Sequence, residues 1–381
     1  MPNIKRGMMG AAGGAGGVTA GQLWAWGSNG DGRLGNGTSY AVTPAVSSPI
    51  QIGALTDWAW ADGAIKSSAA IKTDATLWTW GSPTNGQLGN GGSITVDMSS
   101  PIQIGALTDW SKVKGNDGTH SPFKIATKTD GTLWAWGDNR YGQLGDGTVV
   151  DRSSPVQIGA LTTWTGTFGL GLTAALIIKA DGTLWTWGKN DSGQLGLGNT
   201  IYRSSPVQIG ALTSWAQCSA SYVWAAAIRT DGTLWTWGSD TAGELGQNTV
   251  YVSRSSPTQV GALTDWNGHL SAGRAGGHVV KSDGTLWGWG RGLRGRLGDG
   301  TTVNKSSPVQ IGSLTDWSTV ESKDFRSTAI KTDGTIWAWG KNNNGQLGDG
   351  TAINRSSPVQ IGSAYAFTQV STGSYHTLGI T

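Results

Sequence analysis

Two glycine-rich strings have the spacing of a dinucleotide-binding loop, in which backbone N–H groups approach a pyrophosphate. Residues 30–35 and 290–295 both fit the pattern G-x-G-x-x-G. That chemistry requires the string to lie between a strand and a helix, so that the helix N-terminus holds the phosphate. No helical periodicity follows either string. We therefore interpret both as turns and expect no bound cofactor.

Other side chains suited to catalysis or metal binding are scattered. The sequence contains no Cys-x-x-Cys and no His-Glu-x-x-His, and its Asp- and Gly-rich loops lack the alternating oxygen ligands of a Ca²⁺ site. The histidines stand at places that are not equivalent between repeats: His120, His269, His278 and His376. We expect no catalytic residue and no metal site, and we expect that the protein is not an enzyme.

A cation precedes the string Ser-Ser-Pro in five of its seven copies: Arg152, Arg203, Arg254, Lys305 and Arg355. Rotational repetition would place these five side chains around one rim of a ring. Two interpretations stay open. The rim is either a solvated edge that keeps strands from pairing with other chains, or a surface that contacts an acidic partner or the phosphates of a surface glycan.

A recurring aspartate follows a basic residue by two positions in six repeats. The pairs are Lys72 and Asp74, Lys128 and Asp130, Lys179 and Asp181, Arg229 and Asp231, Lys281 and Asp283, and Lys331 and Asp333. We interpret these aspartates as turn carboxylates with a nearby counter-charge, because an exposed pair of this kind contributes only about 0–1 kcal/mol. A structural role is favoured over acid–base chemistry.

The element that positions all of these residues is the string Trp-x-Trp-Gly, which occurs seven times. Its first tryptophans lie 54, 56, 51, 50, 52 and 50 residues apart: Trp24, Trp78, Trp134, Trp185, Trp235, Trp287 and Trp337. A fixed period of this length indicates a repeat architecture. Because side chains alternate along a strand, both tryptophans of a string share one face, which is typical of a sheet covered on both sides.

Each repeat contains about four short strand patterns, and four-stranded repeats arranged radially make a propeller. The last repeat stops at Thr381 without its tryptophan strand, and residues 21–26 supply that strand. We predict an all-β, seven-bladed β-propeller of four-stranded antiparallel blades over residues 19–381. Its ring is closed by N- and C-terminal strands that share one blade.

Composition limits the classes of partner and compartment. Of 381 residues 13% are charged, and the formal net charge is +3, so nothing demands nucleic acid or anionic lipid. One cysteine, Cys218, excludes an internal disulfide framework. No apolar stretch approaches the length of about 20 residues that spans a bilayer, so we expect no membrane insertion.

Residues 1–18 form a Gly- and Ala-rich leader unlike the repeats. A flexible leader and a weak signal peptide are both compatible with this composition. We favour the hypothesis of a docking arm that holds the propeller to a partner or a neighbouring copy. Its candidate contacts are Lys5, Arg6, Met8 and Met9.

The strings Asp-Gly-Thr-Leu-Trp-Ala-Trp-Gly at 130–137 and Gly-Gln-Leu-Gly at 142–145 resemble the regulator-of-chromosome-condensation repeat family. That resemblance covers residues 19–381 and implies a seven-bladed β-propeller. It also implies a possible role in nucleotide exchange on a small GTPase, with no exchange-specific residue carried over. Residues 5–12 resemble the start of virion-associated proteins in tailed-phage genomes.

We therefore expect a non-enzymatic structural or binding propeller, most plausibly on a phage virion surface as a decoration or tail-associated protein. Its partners would be other virion proteins or copies of itself, with a host-surface glycan possible and no nucleic acid. The protein would be made in the host cytoplasm. The alternative is a secreted or cell-surface carbohydrate-binding adhesin that uses loop tips at residues 40–43 and at Tyr251 and Val252.

Overall fold

The computed structural model of the protein describes residues 21–39, 42, 44–92, 94–116, 121–274, 276–362 and 365–381. Within these ranges the chain forms 28 strands and two single-turn 3-10 helices, at Thr84–Gly86 and Leu293–Gly295. Neither helix has the length and apolar character needed to cross a membrane. The strands form seven antiparallel sheets of four strands each, which confirms the predicted fold class.

Each blade runs from an innermost strand to an outermost strand. The innermost strands, which contact one another around the axis, are β3 (Trp58–Gly63), β7 (Trp110–Gly115), β11 (Trp164–Leu170), β15 (Trp215–Ala220), β19 (His269–Gly273), β23 (Trp317–Lys323) and β27 (Gln369–Thr372). The second strands are β4 (Ser67–Lys72), β8 (Phe123–Lys128), β12 (Ala174–Lys179), β16 (Trp224–Arg229), β20 (Gly276–Val280), β24 (Arg326–Lys331) and β28 (His376–Ile380).

The third strands carry the tryptophan strings, and the fourth strands carry Ser-Ser-Pro. The third strands are β1 (Leu23–Ser28), β5 (Leu77–Gly81), β9 (Leu133–Gly137), β13 (Leu184–Gly188), β17 (Leu234–Gly238), β21 (Leu286–Gly290) and β25 (Ile336–Gly340). The outermost strands are β2 (Ala45–Gln51), β6 (Met98–Gln103), β10 (Arg152–Gln157), β14 (Arg203–Gln208), β18 (Arg254–Gln259), β22 (Lys305–Gln310) and β26 (Arg355–Ile361).

Consecutive antiparallel strands give the ring two different faces. Loops from the first to the second strand and from the third to the fourth strand of every blade emerge at one end, which we name the top face. The Asp-Gly-Thr turns and the Gly-Ala-Leu-Thr connections lie at the other end, which we name the turn face. The long loops that differ between repeats therefore all reach the top face.

One blade is assembled from both ends of the propeller sequence. Its strand order is β2-β1-β28-β27, so β28 lies between β1 and β27. Leu23 pairs with Ile380 and Gly27 pairs with His376 in antiparallel register. The predicted closure of the ring is confirmed.

The second tryptophan of each string fills the space between neighbouring blades. Trp187 is fully buried, and its Nε1 donates to the Gln143 carbonyl of the preceding blade at 2.9 Å. Gly145 has φ +80°, and a Cβ there would lie 2.7 Å from that indole nitrogen, so only glycine permits the contact. The first tryptophan of the string is only partly buried in six of the seven blades.

The turn aspartates bind their own turn rather than the basic residue before them. Asp181 Oδ1 accepts from the Thr183 N–H at 3.0 Å and from its hydroxyl at 2.6 Å. The Thr183 hydroxyl in turn accepts from Trp185 Nε1 at 2.8 Å. This arrangement recurs in the other five Asp-x-Thr turns, so the interpretation as structural carboxylates is supported by the geometry.

After the threonine hydrogen bonds, the basic residue before each turn aspartate also helps to lower its pKa, as expected of a nearby counter-charge, but most of these residues form their ion pair with another aspartate. Four of the six basic residues pair at 3.0–3.2 Å with the aspartate of the Leu-Thr-Asp string, and only Arg229 pairs with its turn aspartate, Asp231. The physical reason is that the basic side chain ends the second strand and lies against two indole rings. Lys72 Nζ, for example, is 5.1 Å from the Trp58 ring centroid and 4.6 Å from that of Trp78.

These turns predict an acid-sensitive contribution to stability. The hydrogen bonds from Thr183 hold the pKa of Asp181 below its ordinary value, as the corresponding threonines do in the other five turns. A folded pKa below the unfolded value of about 3.9 means that this stability is present above that pH and is lost as the pH falls through the folded pKa. The free energy of unfolding should therefore decrease between about pH 5 and pH 2.

Urea denaturation at neutral and acidic pH would measure this decrease. Thr183→Val removes the hydrogen bond from the Thr183 hydroxyl to Asp181. It should reduce the pH dependence of the free energy of unfolding by the contribution of this one turn. Thr183→Ser, the matched control, keeps both bonds and should behave like the wild type. An identical pH dependence in Thr183→Val would contradict the prediction.

Candidate functional site

The five predicted rim cations occupy the same register in five blades. Each opens the outermost strand opposite the glycine that ends the tryptophan string, as Arg152 lies opposite Gly137 and Arg203 opposite Gly188. All five are partly buried. The remaining three are Arg254, Lys305 and Arg355, opposite Gly238, Gly290 and Gly340.

Carboxylates neutralise three of these cations. Arg152 pairs with Asp146 at 2.7 Å, Lys305 with Asp299 at 3.4 Å, and Arg355 with Asp349 at 2.7 Å. At the position of the aspartate, the blades of Arg203 and Arg254 have Leu197 and Gln247. Within the part of the chain that the structure describes, those two arginines form no ion pair. The rim therefore offers two available charges rather than five.

The residues suited to catalysis are buried apart from one another. Burial lowers the pKa of His278 to about 4 and keeps the pKa of His376 well below its ordinary value. Burial also raises the pKa of the Cys218 thiol to about 12. Across the described ranges, no group of three or more His, Cys, Asp or Glu side chains could hold a metal ion. His120 lies outside the described residues.

The G-x-G-x-x-G strings and the predicted loop tips all belong to loops of the top face. The string at 290–295 ends in the three-residue helix Leu293–Gly295, and neither string opens an α-helix. The turn interpretation is confirmed. The tips are exposed where the structure describes them, with Tyr251 80% and Val42 73% accessible. Residues 40, 41 and 43 lie outside the described residues.

A concentration of positive charge on the top face surrounds the ring of Phe325, which the sequence analysis did not identify. Four cations lie within 6 Å of the Phe325 ring centroid, in the loop that follows β23. Their distances are 4.4 Å for Arg296, 5.2 Å for Arg274, 5.4 Å for Arg294 and 5.6 Å for Lys341. Cations over an aromatic face gain electrostatic stabilisation, and the ring gives them a common platform.

We name this group the Phe325 cluster and define it as the residues that three adjacent blades bring together around the ring. Its members are Tyr222, Arg274, Arg291, Arg294, Arg296, Asp324, Phe325 and Lys341. The cluster contains five cations and one carboxylate. Asp324 pairs with Arg274 at 3.3 Å, and burial raises the pKa of Asp324 above its ordinary value.

Burial and like charge both act on Arg296. Its pKa is lowered to about 10, chiefly by desolvation; the charge of Asp324 opposes this shift, and repulsion from Arg291, Arg274 and Arg294 adds to it. A pocket of about 270 Å³ opens beside this guanidinium, lined by Tyr222, Arg274, Arg291, Arg296 and Phe325 among others. The cluster therefore presents positive charge, aromatic surface and a concave site together, a combination suited to an acidic ligand.

The sequence held only one signal for this cluster. Gly-Gln-Leu-Gly becomes Gly-Arg-Leu-Gly at 295–298, within a run that has arginine at 291, 294 and 296. The other members come from loops at unrelated sequence positions, and only the closed ring brings them together. The rim cations were found because they recur at one position of the repeat. The Phe325 cluster occurs once in the ring, so it leaves no repeated pattern in the sequence.

Comparison with known proteins identifies the repeats. The model of the regulator of chromosome condensation (RCC1) repeat matches residues 20–69, 130–166, 181–228, 231–273, 283–322 and 333–380. A second model of the same repeat matches residues 317–346. Together the six stretches of the first model cover more than half of the chain.

Two relatives come from human and from Arabidopsis thaliana. The human E3 ubiquitin-protein ligase HERC2 is 33% identical over 207 residues, which are 53% of this chain but only 4% of HERC2. The Arabidopsis ultraviolet-B receptor UVR8 is 29% identical over 307 residues, which are 78% of this chain and 67% of the receptor. The chain thus corresponds to a small part of the ligase.

Solved structures share the fold at low sequence identity. Human WBSCR16 superposes with a TM-score of 0.82 at 19% identity, over 95% of this chain and 99% of that one. Prp20p from Saccharomyces cerevisiae gives a TM-score of 0.83 at 18% identity, over 95% of this chain and 92% of that one. These likenesses concern the fold alone.

Proposed function

Because the chain belongs to the regulator of chromosome condensation (RCC1) repeat family, we propose that it is a non-enzymatic binding propeller that holds an acidic protein partner against the Phe325 cluster. The observation that carries the proposal is the excess of charge there, with five cations around one carboxylate. Positive potential of this kind steers acidic partners and fixes their orientation.

Among the residues that the structure describes, the turn face offers no comparable site. Its aspartates are occupied by threonine donors, and most of its basic residues by aspartates and indole rings. Proteins of the same fold also bind proteins: Prp20p was studied for its binding to Gsp1p and histones, and it was crystallised with Kap60. A protein partner is therefore favoured over a small-molecule substrate.

Charge reversal on the cluster tests the proposal with a defined acidic probe. Fluorescein-labelled decaglutamate should bind the wild type with an affinity that falls as salt is added. Arg291→Glu combined with Lys341→Glu should weaken that binding about tenfold or more, because both cations border the pocket or the Phe325 ring. Fluorescence polarisation measures the dissociation constant, and circular dichroism verifies the fold.

The matched control reverses two cations at the rim. Arg203→Glu combined with Arg254→Glu changes the net charge equally, and neither arginine has a carboxylate partner in the described ranges. Unchanged binding by this pair would dismiss the rim as the contact. Unchanged binding by the Arg291 and Lys341 pair would contradict the proposed function.

The virion location, the adhesin role and the exchange role stay predictions. A virion location depends on a leader whose Lys5, Arg6, Met8 and Met9 lie outside the described residues; deletion of residues 1–17 should then abolish assembly with particles. An adhesin would bind on a glycan array through tips such as Tyr251. An exchange factor would accelerate nucleotide release from a small GTPase.

A further inference from the structure

We propose that Arg296 is the receptor for a carboxylate of the partner, a proposal that rests on the function proposed above and names the group that the cluster recognises. The side chain of Arg296 is held in place from two directions. Its Nε donates to the Leu293 carbonyl at 2.9 Å, and its guanidinium lies 4.4 Å from the Phe325 ring centroid. The residue is 4% exposed.

The two terminal nitrogens of this guanidinium lack an acceptor. Nη1 and Nη2 are both buried, and neither has a hydrogen-bond partner in the described part of the chain. A buried donor of a charged group that is left unpaired carries a large desolvation cost. The pair of parallel N–H groups matches the two oxygens of a carboxylate, which arginine binds in a bidentate manner.

The chain contains its own reference for this site at Arg33. Arg33 occupies the equivalent position in another Gly-Arg-Leu-Gly string, and its guanidinium lies 5.6 Å from the ring centroid of Tyr375. There both terminal nitrogens are satisfied. Nη1 donates to the Ile65 carbonyl at 2.8 Å, and Nη2 binds the carboxylate of Asp31.

The two sites differ in the charge of the residue that stands two positions before the arginine. Asp31 stands two residues before Arg33, and Arg294 stands two residues before Arg296. The carboxylate that completes the first site is thus replaced by a second cation in the other. Asp324, the carboxylate of the cluster, pairs with Arg274 instead. We assign the acceptor missing at Arg296 to a ligand, and Asp31, which binds one terminal nitrogen of Arg33, points to a carboxylate.

Arg296 is one of the residues that line a pocket open to solvent. The pocket of about 270 Å³ is many times the roughly 30 Å³ that a water molecule occupies in the liquid. Arg274 and Arg291 line the same pocket and add positive charge. The acidic residue that lines this pocket is Glu244, and its carboxylate is occupied, since it accepts from the backbone N–H groups of Thr241 and Ala242.

Two variants test the assignment with labelled decaglutamate. Arg296→Gln installs the residue that four other repeats carry at this position, so the fold should persist while binding weakens about tenfold or more. Arg294→Asp reproduces the arrangement around Arg33 and should weaken binding to a similar extent, because the chain then supplies its own carboxylate. Arg33→Gln is the matched control and should bind decaglutamate as the wild type does.

The outcomes separate this proposal from the function on which it rests. If the Arg291 and Lys341 pair loses binding while Arg296→Gln and Arg294→Asp bind like the wild type, the cluster is the contact and the role of Arg296 is overturned. If the wild type binds no decaglutamate, the proposed function fails as well. Free glutarate should displace the peptide better than inorganic phosphate at equal concentration; stronger displacement by phosphate would overturn the assignment to a carboxylate.

Discussion

Replacing Trp187 with alanine is expected to lower the free energy of unfolding by about 3–5 kcal/mol. Trp187 is completely buried and packs with Trp164 at a centroid distance of 6.4 Å. It also lies in one apolar cluster with Phe123 and Leu133 of the preceding blade. The substitution would open a cavity between two blades and leave the Gln143 carbonyl without its 2.9 Å donor.

The same tryptophan string provides the control. Trp185 is half-buried on the opposite end of β13 and borders this cluster rather than filling it. Trp185→Ala should therefore cost clearly less than Trp187→Ala, because less surface returns to water. Guanidinium denaturation followed by far-ultraviolet circular dichroism measures both values. Equal losses at the two positions would contradict the assignment of Trp187 as the principal contact between blades.

Removing residues 376–381 is expected to prevent folding of the propeller. This deletion takes away β28, which lies between β1 and β27 and contributes the buried side chains of Leu378 and Ile380. Without β28, the closing blade would present two unpaired strand edges, and the ring would open at that point. Size-exclusion chromatography and thermal unfolding of the truncated protein would show an expanded or aggregated chain without a cooperative transition.

A circular permutant distinguishes closure from a general effect of deletion. Thr381 N donates to the Gln22 carbonyl at 3.3 Å, so a short glycine and serine linker could join Thr381 to Gly21. New ends between Val149 and Val150 would fall in an exposed loop of the top face, where both side chains are more than half accessible. This permutant should fold. A truncated chain that unfolds at the wild-type midpoint would show that β28 is dispensable.

The propeller could be predicted because its physical cause is local and repeated. Alternating tryptophans, a glycine that ends their strand and a Ser-Ser-Pro string in the next strand recur in every repeat. Residues 21–26 carry the tryptophan string that residues 355–381 lack, and this difference predicted the closing blade that the structure shows. Such signals need no knowledge of which loops meet in space.

The Phe325 cluster could not be predicted by the same reasoning. Phe325 and Arg274 belong to different blades, and their contact depends on how short loops leave neighbouring sheets. The ion-pair partners of the basic residues were not predicted, for a related reason. Lys72 is two residues from Asp74 in sequence, but strand geometry directs its amine toward Asp57 and two indole rings. The sequence analysis identified the rim cations but not their carboxylate partners, since sequence spacing did not reveal that Asp146 neutralises Arg152.

The hydrogen bonds that the indoles donate between blades all run in the same direction around the ring. Each second tryptophan reaches the loop of the blade before it, and Trp26 completes the circuit by donating to the Leu347 carbonyl at 3.1 Å. An open array frays from its terminal units, because they have one neighbour instead of two. Here no blade occupies a terminal place, so fraying has no natural starting point. The top-face loops can consequently differ in sequence, because the same indole hydrogen bond joins each blade to the one before it.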